Sequence, residues 1–96
     1  MEHITESIVI QNKFGLHARA ASVFVHTASR FSAEIKIGRN GDNDFVNGKS
    51  ILGVLCMAVS PGNKIVLRAI GKDARVAMDA LIELINNKFG EEEWLF

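Results

Sequence analysis

A chain of 96 residues, 48% hydrophobic and 23% charged, has the composition of one ordinary soluble globular domain built on a single core. Its eleven basic and eleven acidic residues cancel, so no global field argues for nucleic acid or an anionic membrane surface, and recognition has to be local. Residues 1–6 lack the basic, apolar character of a secretory leader, and the longest apolar run, over 51–59, is far shorter than the about 20 residues a spanning helix needs, so the cytoplasm is the expected setting.

Residues 4–10 read as a strand, β-branched enough to outweigh Thr5, Glu6 and Ser7. The sequence Gln-Asn-Lys-Phe-Gly over 11–15 ends it, and from 18 to about 30 the pattern becomes helical. Ala20, Phe24, Ala28 and Phe31 form an apolar stripe widened by Ala21 and Val25, with Arg19, Ser22, His26, Ser29 and Arg30 opposite. His17 therefore falls at or just before the first turn of a helix, where up to four backbone N–H groups lack intrahelical partners and the dipole favours negative charge. A neutral imidazole nitrogen there is a nucleophile beside a phosphate cradle, and Arg19 can offer a planar guanidinium to phosphate oxygens. The combination points to a histidine that carries a phosphoryl group; a histidine that only caps the helix is the plainer alternative. His26, on the polar face, has nothing chemical spaced around it.

Residues 33–38 alternate, Ala33, Ile35 and Ile37 on one face and Glu34 and Lys36 on the other, as a half-buried antiparallel strand should. Turn residues fill 39–44 and a short strand returns at 45–46, which makes a hairpin. Ser50 then stands ready to cap a short helix through Ile51, Leu52, Val54, Leu55 and Met57, weakened by about 1 kcal/mol at Gly53. That helix is apolar all round: either it packs wholly inward, or Ile51, Leu52 and Leu55 form an exposed docking patch, and the sequence accommodates both. Cys56, the single cysteine, cannot form an internal disulfide and is expected to be a buried structural thiol.

After a turn at Ser60-Pro61-Gly62-Asn63, residues 64–70 form a strand, and Asp73 is the expected N-cap of the longest helix. Ala77, Met78, Leu81, Leu84 and Ile85 supply its buried stripe and Gly90 its stop. Glu91-Glu92-Glu93 reads as a solvated acidic run, and Trp94-Leu95-Phe96 as an apolar tail that either folds back or frays. His3, His17 and His26 lack metal-ligand spacing, so neither metal nor cofactor is expected. The order strand, helix, strand, strand, short helix, strand, helix argues one α+β domain over 1–96, helices layered on one face of an antiparallel sheet.

With that order in place, Gly15-Leu16-His17-Ala18-Arg19-Ala20-Ala21 resembles the Gly-Leu-His-Ala-Arg-Pro-Ala signature of the HPr family, the histidine-containing phosphocarriers of the phosphoenolpyruvate-dependent phosphotransferase system. Lys49-Ser50-Ile51-Leu52-Gly53-Val54-Leu55 resembles the regulatory-serine segment of the same family, and the resemblance spans residues 4–90. It implies an open-faced β-sandwich of four antiparallel strands with three helices on one side. It also implies that His17 accepts a phosphoryl group on Nδ1 from the phosphohistidine of enzyme I and passes it to a histidine of an enzyme II A component, with Arg19 steadying the phosphate. In many relatives the serine corresponding to Ser50 is phosphorylated by an ATP-dependent kinase, which implies an HPr serine kinase/phosphorylase as a further partner. Such a carrier is consumed and regenerated by its partners rather than being an enzyme in the strict sense, and a monomer is expected of a protein that meets two partners through one surface.

Two departures stand out. Ala20 replaces the usual proline, giving up a rigid first turn while remaining a good helix former. The 39–44 turn is longer than in typical members. Phe14 and the ending Asn-Asn-Lys-Phe-Gly-Glu-Glu-Glu over 86–93 resemble the nitrogen-related branch, whereas residues 49–54 resemble the sugar branch. A regulatory module whose phosphorylation state controls partner binding without sugar transport therefore stays open as the alternative.

Overall fold

The computed structural model describes the backbone of residues 2–95 and the side chains as far as Glu91, so the Trp94-Leu95-Phe96 tail lies outside the described side chains. The elements are β1 (Glu2–Val9), α1 (Ala18–Ala28), β2 (Glu34–Arg39), β3 (Phe45–Asn47), α2 (Ile51–Cys56), β4 (Lys64–Gly71) and α3 (Ala74–Asn86), followed by a 3-10 segment over Lys88–Leu95.

The strands form one antiparallel sheet in the order β1-β4-β2-β3. Alternation decides its faces: Ile65, Leu67 and Ala69 of β4 and Ile35 and Ile37 of β2 are buried, while the residues between them are more exposed. The buried row meets Ala20, Ala21, Phe24 and Ala28 of α1, Val54 of α2, and Ala77, Met78, Leu81 and Ile85 of α3 in a single core. On the open face the Arg68 guanidinium lies 4.3 Å from the centroid of the Phe45 ring. This is the expected open-faced sandwich, four antiparallel strands with three helices.

β1 begins at Glu2 rather than 4 because its pairing with β4 runs on to Glu2↔Gly71. The same register sets Ile4, Glu6 and Ile8 on the core-facing side. Glu6, exposed at the rim, lies 3.8 Å from Arg75 of α3, so the polar interruption is an ion pair beside the core. Cys56 is exposed rather than buried. In a six-residue helix whose core-facing position is Val54, a residue two further on points about 200° away.

Asp73 occupies the N-cap of α3, but its side chain makes no capping bond. Its two carboxylate oxygens instead accept the N–H groups of Ser32 and Ala33, each at 2.8 Å, which ties the α1–β2 loop to the start of α3. The Ser32 amide foremost, then that of Ala33 and the Lys49 charge, hold this carboxyl below the usual aspartate range.

α3 ends at Asn86, earlier than Gly90. Lys88, Phe89 and Gly90 take left-handed backbone angles, φ 56°, 58° and 69°, and reverse the chain. For the two non-glycine residues that conformation costs about 1–2 kcal/mol each. Burial of the Phe89 ring, which ends 2% exposed in the core, returns about 1.5–3 kcal/mol.

Candidate functional site

The β1–α1 connection is a turn closed twice. Asn12 donates its side-chain amide to the Gly15 carbonyl at 2.8 Å, and the Asn12 carbonyl accepts the Gly15 N–H at 3.4 Å. Gly15 has φ +68°, and a Cβ there would collide with the Val59 carbonyl oxygen and press on Pro61 Cδ at 3.2 Å. Only glycine fits both constraints. Leu16 then buries its side chain and donates its N–H to the Val59 carbonyl at 3.0 Å, so the chain enters α1 from a fixed point.

That entry delivers His17 as the N-cap residue of α1, in extended backbone geometry (φ −76°, ψ −177°). Its carbonyl accepts the Ala21 N–H at 2.8 Å and starts the helical ladder, but its side chain makes no capping bond, and the first turn of α1 carries no acidic residue. The imidazole is 34% exposed and stands edge-on to the Phe14 ring, centroids 5.5 Å apart at 85°. Phe14 is itself 51% exposed, with the Lys13 ammonium 5.4 Å from its centroid. Arg19 is exposed on the first helical turn. The first turn of α1 thus sets amide dipoles beside the imidazole, a setting that favours negative charge.

The other ring nitrogen faces inward. Nε2 of His17 is closed off from solvent, 3.9 Å from Oε2 of Glu91. Glu91 is 6% exposed, not part of a solvated run: its Oε1 accepts the Lys13 N–H at 2.8 Å and its Oε2 accepts the Asn12 side-chain amide at 2.6 Å. The reversal over 88–90 returns the chain to the β1–α1 turn, where these donors satisfy the carboxylate and make its burial tolerable. Nothing in three consecutive glutamates marks the first as different, and in the sequence Asn12 reads as ordinary turn chemistry. A clue did exist in Phe89-Gly90, an apolar residue beside a glycine just after the helical stripe ends, which is how a chain doubles back.

Ser50 caps α2, its Oγ accepting the Gly53 N–H at 3.1 Å. Ile51 and Leu52 on the first turn are 45% and 72% exposed, whereas Leu55 is half-buried against the core. α2 packs on α1, so the exposed pair lies on the helix neighbouring that of His17. His26 is exposed in the last turn of α1, where a basic group complements the dipole, and His3 is exposed on β1. Among the described residues no three His, Cys, Asp or Glu side chains group as a metal site would require, and no helix is long and apolar enough to cross a membrane.

Comparison with known proteins finds relatives over nearly the whole chain. A family model described as "PTS HPr component phosphorylation site" matches residues 4–87. The chain is 49% identical over 86 residues to the phosphocarrier protein HPr of Pseudomonas putida, covering 90% of this chain and 94% of that protein. It is similar to the crystal structure of HPr-C-His from Thermoanaerobacter tengcongensis, with TM-score 0.83 and 49% identity over 94% of this chain and 97% of the other. A crystal structure of an HPr dimer from the same organism gives TM-score 0.71 at 50% identity, covering 85% and 92% of the two chains.

Proposed function

Since the chain belongs to the HPr family of phosphotransferase-system phosphocarriers, we propose that His17 is its phosphoryl acceptor, loaded on Nδ1 by the phosphohistidine of enzyme I and unloaded onto a histidine of an enzyme II A component in the cytoplasm. The observation that carries this reading is the presentation of the ring: a partly exposed imidazole at the start of an eleven-residue helix, its Nε2 turned inward beside Glu91. In the transfer the Nδ1 lone pair forms a bond to phosphorus while the donor's N–P bond breaks and its electron pair returns to the donor nitrogen. The protein's part is positioning and charge: helix amides and the Arg19 guanidinium receive the phosphoryl oxygens. A shallow, exposed cradle of this kind suits a relay, because a deep site with many strong donors would retain the phosphate.

Ile51 and Leu52, with Leu55 behind them, are the proposed docking patch for both partners, apolar and next to the acceptor helix. Ser50, at the N-terminus of α2, is the proposed regulatory site for an HPr serine kinase/phosphorylase: a phosphate there brings about −2 of charge to the edge of the patch. A Ser50→Asp variant is expected to accept phosphate from enzyme I more slowly than wild type; an unchanged rate removes the regulatory role. The carrier is proposed to work as a monomer, one surface serving two partners in turn.

The deciding experiment mixes the protein with enzyme I and phosphoenolpyruvate. One acid-labile phosphate per chain is expected, absent in His17→Ala and discharged when an enzyme II A component is added. Stable phosphorylation of the His17→Ala variant overturns the assignment.

A further inference from the structure

We infer that Glu91 is a positioning residue for the phosphoryl acceptor, holding the His17 proton on Nε2 so that the lone pair stands on Nδ1. The inference rests on the acceptor role proposed above and asks what sets the ring's protonation pattern. A ring nitrogen that faces a carboxylate is favoured as the protonated one, because a carboxylate offers only acceptors and negative charge. Glu91 Oε2 is 3.9 Å from Nε2, too far for a hydrogen bond yet close enough for an electrostatic preference between the two neutral tautomers, strengthened by the burial of Nε2 and of the Glu91 residue.

The carboxylate is itself fixed. The Lys13 amide holds Oε1 at 2.8 Å, and the side-chain amide of Asn12, a fully buried residue, holds Oε2 at 2.6 Å. Phe89, buried two residues earlier, pins the chain that brings Glu91 in. The same Asn12 amide reaches the Gly15 carbonyl at 2.8 Å, so one side chain links the carboxylate to the turn that places His17. These contacts form a carboxylate–imidazole arrangement in which the acid orients the ring and takes no proton.

Its use follows from the transfer step. When Nδ1 bonds to phosphorus, the ring becomes a phospho-imidazolium that keeps its Nε2 proton, and the positive charge faces Glu91. On unloading, the Nδ1–P bond breaks, its electron pair stays on Nδ1, and the ring returns to the neutral Nε2–H form. No proton leaves or joins the ring in either direction, so the acceptor is ready again without a proton-transfer partner.

The test separates this role from packing. Nitrogen-15 NMR of the wild-type ring, recorded at a pH where the imidazole is neutral, is expected to find mainly the Nε2–H tautomer. Glu91→Gln is expected to shift that balance toward Nδ1–H and to slow phosphoryl transfer at saturating phospho-enzyme I by about ten- to a hundredfold, as loss of an orienting partner does elsewhere, with KM unchanged. Glu91→Asp, which keeps the charge, is expected to recover most of both. A mainly Nδ1–H wild-type ring overturns the inference, and so does a folded Glu91→Gln protein with wild-type tautomer and rate. Should Glu91→Gln fail to fold, the wild-type tautomer and the Glu91→Asp rate decide. A wild-type protein that takes no phosphate from enzyme I overturns the acceptor role instead, a result distinguishable from any of these.

Discussion

The starts of α1 and α2 meet the same physical demand in opposite ways. Both leave amide donors at a positive dipole end, but α2 answers from within, through Ser50 Oγ on the Gly53 N–H, whereas the N-cap side chain of α1 gives its helix nothing. The residue at that position is an imidazole standing beside the donors rather than bonded to them. A helix end closed by its own serine is a piece of architecture; one whose capping side chain makes no cap bond fits the proposed acceptor role. Both ends are tied to distant parts of the chain: α1 is approached through Asn12, Gly15, Leu16 and Glu91, while Gly48 and Lys49, leading into α2, donate to the Ile35 carbonyl at 2.7 Å and the Phe31 carbonyl at 2.6 Å.

That contrast predicts which changes cost function and which cost stability. The largest effect belongs to His17→Ala, which is expected to remove phosphorylation entirely while leaving unfolding free energy within about 0.5 kcal/mol of wild type, measured by phosphate incorporation and urea unfolding. Next comes Gly15→Ala, where a left-handed alanine meeting the Val59 carbonyl is expected to destabilise by about 1–3 kcal/mol and slow loading, because the turn that presents His17 shifts. Ser50→Ala is expected to show the reverse pattern, about 1 kcal/mol lost on removing the cap with wild-type phosphorylation at His17. A Ser50→Ala protein of undiminished stability would erase the distinction between the two helix ends.

The smallest effect concerns α3, whose cap side chain bonds a neighbouring loop rather than the first turn of its helix. With the Asp73 carboxyl held below the usual range chiefly by the Ser32 amide, the folded state binds its proton only at lower pH than the unfolded chain. Its stabilisation is complete above the unfolded value of about 3.9 and is lost as pH falls from there through the lower folded value. Unfolding curves of Asp73→Asn are therefore expected to lack this part of the acid-side decline and to match the wild-type pH dependence above about pH 5.

Much of this was legible in the sequence because it rests on local pattern. The 3.6-residue stripe through Ala20, Phe24 and Ala28, the period-two run through Ile35 and Ile37, and a serine before a short apolar helix each report a demand that neighbours in the chain reveal. Glu91 was not legible, since its environment is made by residues almost eighty positions away. Cys56 misled because an apolar run suggests burial, yet a helix of under two turns can turn only one side inward. Asp73 stands at the expected N-cap position, but its hydrogen bonds were not legible, as its amide partners lie across a loop the sequence does not bring near.

The bonds from Glu91 to Asn12 and Lys13 join positions separated by 79 and 78 residues. A nascent chain therefore exposes the histidine early in translation but cannot complete its setting until synthesis has passed residue 91 and that glutamate has cleared the ribosomal tunnel. A chain that stops before that point can pair most of its strands and form its helices, but the ring lacks its inner neighbour.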